Sequence, residues 1–150
     1  MDITIKPIGI VKNSITKPGH NSWKEVISEI EVDNRYEQAL DQLDDFSHII
    51  VLFWMNQISP ERPLLLKIHP RGRKDLPLVG VFASRSPVRP NPIGVTVVRL
   101  LKRTNNILSV QGLDAIDGTP VIDIKPFIPE NDSTPESKTP AWVKKLIEQT

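Results

Sequence analysis

Fourteen prolines in 150 residues set the first limit on what this chain can build. Each fixes its own φ, removes a backbone donor and pushes the preceding residue out of the α region. A proline share well above the usual level of about 5% favours loops and strand edges over long helices. Between the prolines the apolar residues recur mostly at the period of a strand. Residues 24–32 set Val26, Ile30 and Val32 on one side and Glu25, Glu29 and Glu31 on the other, as in a strand with one wet face. Ser47 to Met55 is a continuous apolar run rich in β-branched and aromatic residues, which predicts a core strand buried on both faces. Further strands are expected over residues 78–83, 93–101, 107–113 and 121–124, with Asn105-Asn106 and Asp117-Gly118 as turns.

Helices are expected twice. Asn34 with Glu37 makes a capping-box signature, and Tyr36, Leu40 and Leu43 follow at helical spacing before Asp44-Asp45. Thr139 and Pro140 open a second helix whose apolar stripe is Trp142, Val143, Leu146 and Ile147. Six or more strands without strand–helix alternation predict a mainly β fold, a small closed antiparallel-rich barrel with two short helices, and not a Rossmann sheet. Residues 1–130 form that barrel domain, and 131–150 a linker and C-terminal helix. A chain of 150 residues buries roughly 68–70% of its unfolded surface in one core.

Composition excludes several kinds of chemistry. Cysteine is absent, so disulfides, thiolate metal sites and thiol nucleophiles are ruled out. Seven glycines, at 9, 19, 72, 80, 94, 112 and 118, spell neither a Gly-x-Gly-x-x-Gly turn nor a P-loop. His20, His48 and His69 stand too far apart for a helical metal face, and His48 reads as a core residue. No apolar run is long enough for a membrane span or a signal segment, which predicts a soluble cytoplasmic protein with no membrane partner.

The net charge of +1 conceals a segregation. Residues 62–103 carry ten basic side chains against the single acid Asp75. If they share a face, the surface attracts a polyanion; strand alternation would instead scatter them over both faces.

Phe82-Ala83-Ser84-Arg85-Ser86-Pro87-Val88-Arg89-Pro90-Asn91-Pro92-Ile93-Gly94 is the most specific segment. Its three closely spaced prolines predict a stiff, extended loop, and Arg85 and Arg89 on it present two guanidinium forks to an anionic or carbonyl-bearing ligand. Gly94 permits close backbone approach where the loop enters a strand. A second cluster places Asp114, Asp117 and Asp123 within ten residues. Three readings stand side by side: a hard-cation site, an ordinary turn followed by a strand's polar side, or carboxylates that accept hydrogen bonds from a ribose or an adenine amino group.

These two segments, with Phe46-Ser47-His48, closely resemble the TrmO (YaeB-like, TsaA-like) family of S-adenosylmethionine-dependent tRNA methyltransferases over roughly residues 5–130. The resemblance implies a small β-barrel that works as a homodimer and methylates N6 of threonylcarbamoyl-adenosine beside the tRNA anticodon. Carried over by position, it implies cofactor contacts from Pro18, Met55, Asn56, Arg85, Val95, Asp114, Ala115, Ile116 and Asp117, with no metal. Larger members carry a Pro-Arg-Gln stretch in the first loop, of which Lys17-Pro18-Gly19-His20 keeps only Pro18. Arg71, Arg73 and Lys74 are candidates for the phosphates of the anticodon stem, and Arg89 for the threonyl carboxylate. Asp114 and Asp117 are both candidate proton acceptors, and neither is assigned as catalytic. Phe82 and Phe127 are the aromatics nearest the motifs for stacking an extruded base. The alternatives are a metal-dependent phosphoesterase using Asp114, Asp117 and Asp123, and a noncatalytic RNA-binding module.

Overall fold

The computed structural model describes residues 1–19 and 22–148. Eight strands follow one another as β1 (Gly9–Lys12), β2 (Ile27–Val32), β3 (His48–Trp54), β4 (Lys67–Ile68), β5 (Val79–Gly80), β6 (Ile93–Thr104), β7 (Ile107–Gln111) and β8 (Pro120–Pro126). Six of them close an antiparallel barrel in the order β1-β2-β7-β6-β3-β8, while β4 and β5 form a separate two-stranded ribbon. The expected closed barrel is therefore the observed architecture.

Strand alternation fills the barrel. Ser28, Ile30 and Val32 of β2, Ile49, Val51 and Phe53 of β3, Val98 and Leu100 of β6, and Leu108 and Val110 of β7 are all buried. The intervening residues face out. Lys12 and Glu31 pair across β1 and β2 on that outer side. β3 departs from expectation, because only alternate residues are fully buried and Ile50, Leu52 and Trp54 are half-buried on its outer face. A closed barrel gives each strand one inward face, so an uninterrupted apolar run does not need two covered faces.

Other expectations shift at element ends. β2 begins at Ile27 because Trp23–Glu25 form a 3-10 turn, with the Val26 amide donating to Trp23 O at 3.0 Å. The helix expected from Asn34 is a run of 3-10 turns over Asn34–Leu40 and Leu43–Asp45, and its N-cap is Asp33, which accepts the Arg35 amide at 2.9 Å. Arg103 explains part of this. Its guanidinium donates to the carbonyls of Glu37 and Leu40, each at 3.4 Å, which an α-helix would reserve for its own amides. Gln42, at φ 68°, then breaks the run. The strand expected over 78–83 is only Val79–Gly80, followed by a 3-10 turn at Val81–Ala83. Asn105, at φ 55°, makes the expected β6–β7 turn.

Two short helices follow the barrel, α1 (Pro129–Asp132), which straddles the expected boundary after residue 130, and α2 (Ala141–Glu148). Trp142, Val143 and Leu146 of α2 are half-buried, Ile147 is exposed, and Lys145 Nζ lies 3.2 Å from Asp75 Oδ2. Among the described residues no helix is long and apolar enough to cross a membrane.

Gly94 sits opposite Phe53 in the β3–β6 register, and a Cβ built on it would enter the Phe53 ring. The ring covers the bare glycine as an aromatic cross-strand partner. Gly94→Ala is expected to cost about 1–3 kcal/mol through overpacking, read as a lower urea midpoint with an unchanged slope.

Candidate functional site

Strand direction brings the motifs together. β1 ends, β2 begins, β3 ends, β6 begins, β7 ends and β8 begins at the same mouth of the barrel. The 13–26 connection, the chain after Trp54, the proline loop before Ile93 and the 112–119 turn consequently all emerge there. Pro18, Met55, Asn56, Arg85, Val95 and Asp114–Asp117 belong to these segments or their immediate strand ends.

Asn13 stitches the mouth. Its side-chain amide donates to Ser28 Oγ at 3.0 Å and to Ala115 O at 2.9 Å, while its Oδ1 accepts the Ile15 amide at 2.9 Å. Its backbone amide donates to Asp117 Oδ1 at 3.1 Å, and the Asp117 amide returns a bond to Ile15 O at 2.7 Å. The first loop and the aspartate turn are thus one hydrogen-bonded unit. Sequence reading passed over Asn13. Its signal is an Asx-turn, a side-chain oxygen capping the amide two residues on.

Within the turn the aspartates differ. Asp114 Oδ1 accepts the hydroxyl of Thr96 from β6. Asp117 is exposed and oriented by Asn13, and Gly118 turns the chain at φ 83°. Ala115 and Ile116 are buried, and the Ile116 carbonyl takes both the amide and the hydroxyl of Thr119, at 3.2 and 2.7 Å. Asp123 lies apart on the outer face opposite Leu52, paired with Lys125 at 2.9 Å. The three aspartates therefore do not converge. Among the described residues no group of three or more His, Asp or Glu side chains is arranged to hold a metal ion.

The proline loop is stiff for a different reason from the one expected. It is tightly turned, with Arg89 N bonded to Pro87 O at 3.0 Å and Ile93 N to Asn91 O at 2.7 Å. Ser84 and Ser86 hydroxyls cap the amides of Ser86 and Val88 at 3.3 and 3.2 Å. Arg89 folds back, its Nη1 donating to the carbonyls of Ser84 and Ser86 at 3.0 and 3.1 Å. The two forks consequently have different roles: Arg89 braces the loop, whereas Arg85 is exposed and forms no hydrogen bond or ion pair among the described residues. The loop is joined to the end of β3 by Met55 N donating to Pro92 O at 2.8 Å. Met55 packs on the core, the adjacent Asn56 is exposed, and Val95 is 44% exposed on the outer face opposite Leu52.

The RNA candidates also divide. Arg71 and Lys74 are exposed and unpaired among the described residues, but Arg73 grips Asp75 with Nε at 3.1 Å and Nη2 at 2.7 Å. His48 is exposed rather than in the core, hydrogen-bonded to Ser47 Oγ at 2.7 Å and set edge-on to Phe127. It lines an outer groove of about 370 Å³ with Lys24, Glu25, Val97, Arg99 and Gln111. A second cleft, of about 470 Å³, is framed by Ser14–Gly19 around Pro18. His20 lies outside the described residues.

The fold and site define a small non-Rossmann barrel protein whose motif-bearing loops gather at one mouth. Residues 12–133 match the tRNA-methyltransferase O N-terminal domain, and the chain belongs to this TrmO family. It is 42% identical over 132 residues to an S-adenosyl-L-methionine-binding protein of Archaeoglobus fulgidus, covering 85% of this chain and 91% of that one. A probable S-adenosyl-L-methionine-binding protein of Methanothermobacter thermautotrophicus is 41% identical, covering 89% of this chain and 96% of the relative. A crystal structure of TrmO superposes with a TM-score of 0.73 at 29% identity, over 93% of this chain and 64% of that one. TrmO from Pseudomonas aeruginosa gives 0.72 at 27% identity, over 95% of this chain and 62% of that one. The chain thus spans somewhat less than two thirds of these two solved TrmO chains.

Asn13→Ala leaves buried Ser28 without its amide partner and frees both mouth loops. A loss of about 1–3 kcal/mol is expected, measured by urea unfolding. Hydrogen bonds from Arg73 first, then Lys145, hold the Asp75 carboxyl well below the usual carboxylate range. Because the folded value is depressed, the contribution is complete above the unfolded value of about 3.9 and fades as pH falls through the folded one. In acid titration by NMR, the side-chain signals of Lys145 and Arg73 should show a step only well below the ordinary carboxylate range in the wild type, and Asp75→Asn should remove that step.

Proposed function

We propose that this chain is an S-adenosylmethionine-dependent tRNA methyltransferase that acts on N6 of threonylcarbamoyl-adenosine beside the anticodon, as a homodimer in the cytoplasm. The observation that carries the reading is the gathering of unpaired Arg85, the Asn13-braced aspartate turn and the Met55-Asn56 strand end at one mouth of a TrmO-family barrel. S-adenosyl-L-methionine binding is named for relatives that this chain covers over 91% and 96% of their length.

The residues fit the chemistry of that cofactor. Arg85 offers a free guanidinium fork to a carboxylate. Val95 and Met55 offer apolar surface to a ring, and Asp114 and Asp117 offer carboxylate oxygens to ribose hydroxyls or an adenine amino group. Held there, S-adenosylmethionine would supply an electrophilic methyl group, its S–C bond breaking as the new N–C bond forms and its neutral thioether leaving without need of an acid. The protein's main tasks are then alignment and removal of one proton. As the N6–methyl bond forms, the N6 proton must be taken up. Asp114 and Asp117 are the two candidate acceptors, each with one carboxylate oxygen left over, because Thr96 takes Oδ1 of Asp114 and the Asn13 amide takes Oδ1 of Asp117.

Two features support the partners. The unpaired Arg71 and Lys74 suit anticodon-stem phosphates, and Arg89 keeps further donors for the threonyl carboxylate beyond its Nη1 brace. On the outer face, exposed Val97 stands opposite half-buried Ile50, apolar surface suited to a second copy.

Labelled S-adenosylmethionine and tRNA carrying threonylcarbamoyl-adenosine should yield labelled RNA, and omitting the threonylcarbamoyl group should abolish it. Salt-sensitive RNA binding without label would favour the noncatalytic module. In calorimetry Arg85→Ala should weaken cofactor binding roughly tenfold to a hundredfold, the effect of a lost charge-assisted hydrogen bond. Unchanged affinity removes Arg85 from the site.

A further inference from the structure

We infer that the exposed ring of Phe82 is a stacking platform for an unpaired base of single-stranded RNA, an inference that rests on the tRNA reading above and adds a contact to it. Phe82 is 77% exposed. Its backbone is fixed because both flanks are tied. Val81 is buried and its amide donates to Leu66 O at 2.9 Å, while Ser84 closes the 3-10 turn with its amide and hydroxyl on Val81 O, at 3.2 and 2.8 Å. Behind the ring, the guanidinium carbon of Arg89 lies 6.0 Å from its centroid. Arg89 is in turn pinned by the Ser84 and Ser86 carbonyls. A cation fixed over one face of a held ring leaves the opposite face for a flat partner.

The surroundings select the partner. Leu66, whose carbonyl takes the Val81 amide at the foot of the same turn, is itself exposed and adds apolar surface on that side of the ribbon. Arg62, Lys67, Arg71 and Arg85, all in the ribbon, its connecting segments or the adjoining loop, form no ion pair among the described residues. The one acid between residues 62 and 103, Asp75, is already held by Arg73 and Lys145. An aromatic among unneutralised cations matches alternating bases and phosphates. A second copy of this chain would set the same cations against themselves in a two-fold contact.

The test uses an anticodon stem-loop RNA with 2-aminopurine in its loop, beside a fully paired duplex. Wild-type protein should quench the loop fluorescence on binding. Phe82→Ala should bind the loop about tenfold or more weakly and lose the quench, with duplex affinity unchanged. Phe82→Tyr, which keeps a ring, should retain both. Wild-type affinity and quench in Phe82→Ala would overturn the platform alone, as would equal losses on loop and duplex. Dissociation of a dimer by Phe82→Ala in sedimentation would overturn it in favour of a second copy on the ring. A wild-type protein with no RNA affinity would overturn both this inference and the tRNA reading.

Discussion

The seam between β1 and β8 is the constraint on which both barrel and site depend. Its register holds only Gly9 against Val121 and Ile10 against Pro120, a short closure for a six-stranded barrel. The rest of the joint is made by turn and loop residues. Val11 donates to Thr119 O at 2.9 Å, Gly118 to Val11 O at 2.8 Å, and Asp117 to Ile15 O at 2.7 Å. These bonds satisfy backbone groups that an open edge would leave to solvent or to another chain. They are also the bonds that hold the aspartate turn. Closing the sheet and positioning Asp114 and Asp117 are therefore one structural event, and a change that opened the seam would displace the site before it emptied the core.

The proline loop achieves rigidity by a comparable economy. Proline removes amides, so a loop rich in it has fewer donors with which to fix itself. Hydroxyls and a guanidinium replace them, with Ser84 and Ser86 capping amides and Arg89 gathering two carbonyls. The ordering entropy is met on folding rather than when a ligand arrives, which is the physical content of preorganisation. Arg85 is left outside this internal network, and that is why it, and not Arg89, is the free fork at the mouth.

What the sequence disclosed followed from local rules. Alternation marked β2, the Asn105-Asn106 turn marked β6 and β7 on either side of it, the Asp117-Gly118 turn led into β8, and the absence of strand–helix alternation pointed to a barrel. The Arg-Ser-Pro-Val-Arg-Pro-Asn-Pro-Ile-Gly string marked the family. The misreadings concern residues whose conformation is set from a distance. Nothing within residues 34–45 announces that Arg103, more than fifty residues on, will bond two of its carbonyls. Nothing around Arg89 distinguishes a brace from a ligand contact, because both use the same donors. β4 and β5 are two residues each, below the length at which alternation carries a signal. Asn13 was legible as an Asx-turn, but its bonds to Ser28 and Ala115 exist only once the barrel closes.

The cations show how far the fold sorts a composition. Of the ten basic residues between 62 and 103, Arg73, Arg89 and Arg103 have structural work, on Asp75, on the proline loop and on the 34–41 turns. Arg62, Lys67, Arg71, Lys74, Arg85, Arg99 and Lys102 form no ion pair among the described residues. Of these ten, the half-buried arginines are thus the ones with internal contacts, and the exposed ones have none among the described residues. Exposed like charges on one stretch repel one another in the free protein, and in the proposed RNA complex that repulsion would be relieved as the polyanion's condensed counterions are released to solution. Such a contact would be sequence-blind on its own, since phosphates are alike. Discrimination would then have to come from groups that see bases and not backbone, which is the part proposed for the exposed ring on the turn that Val81 and Ser84 tie down.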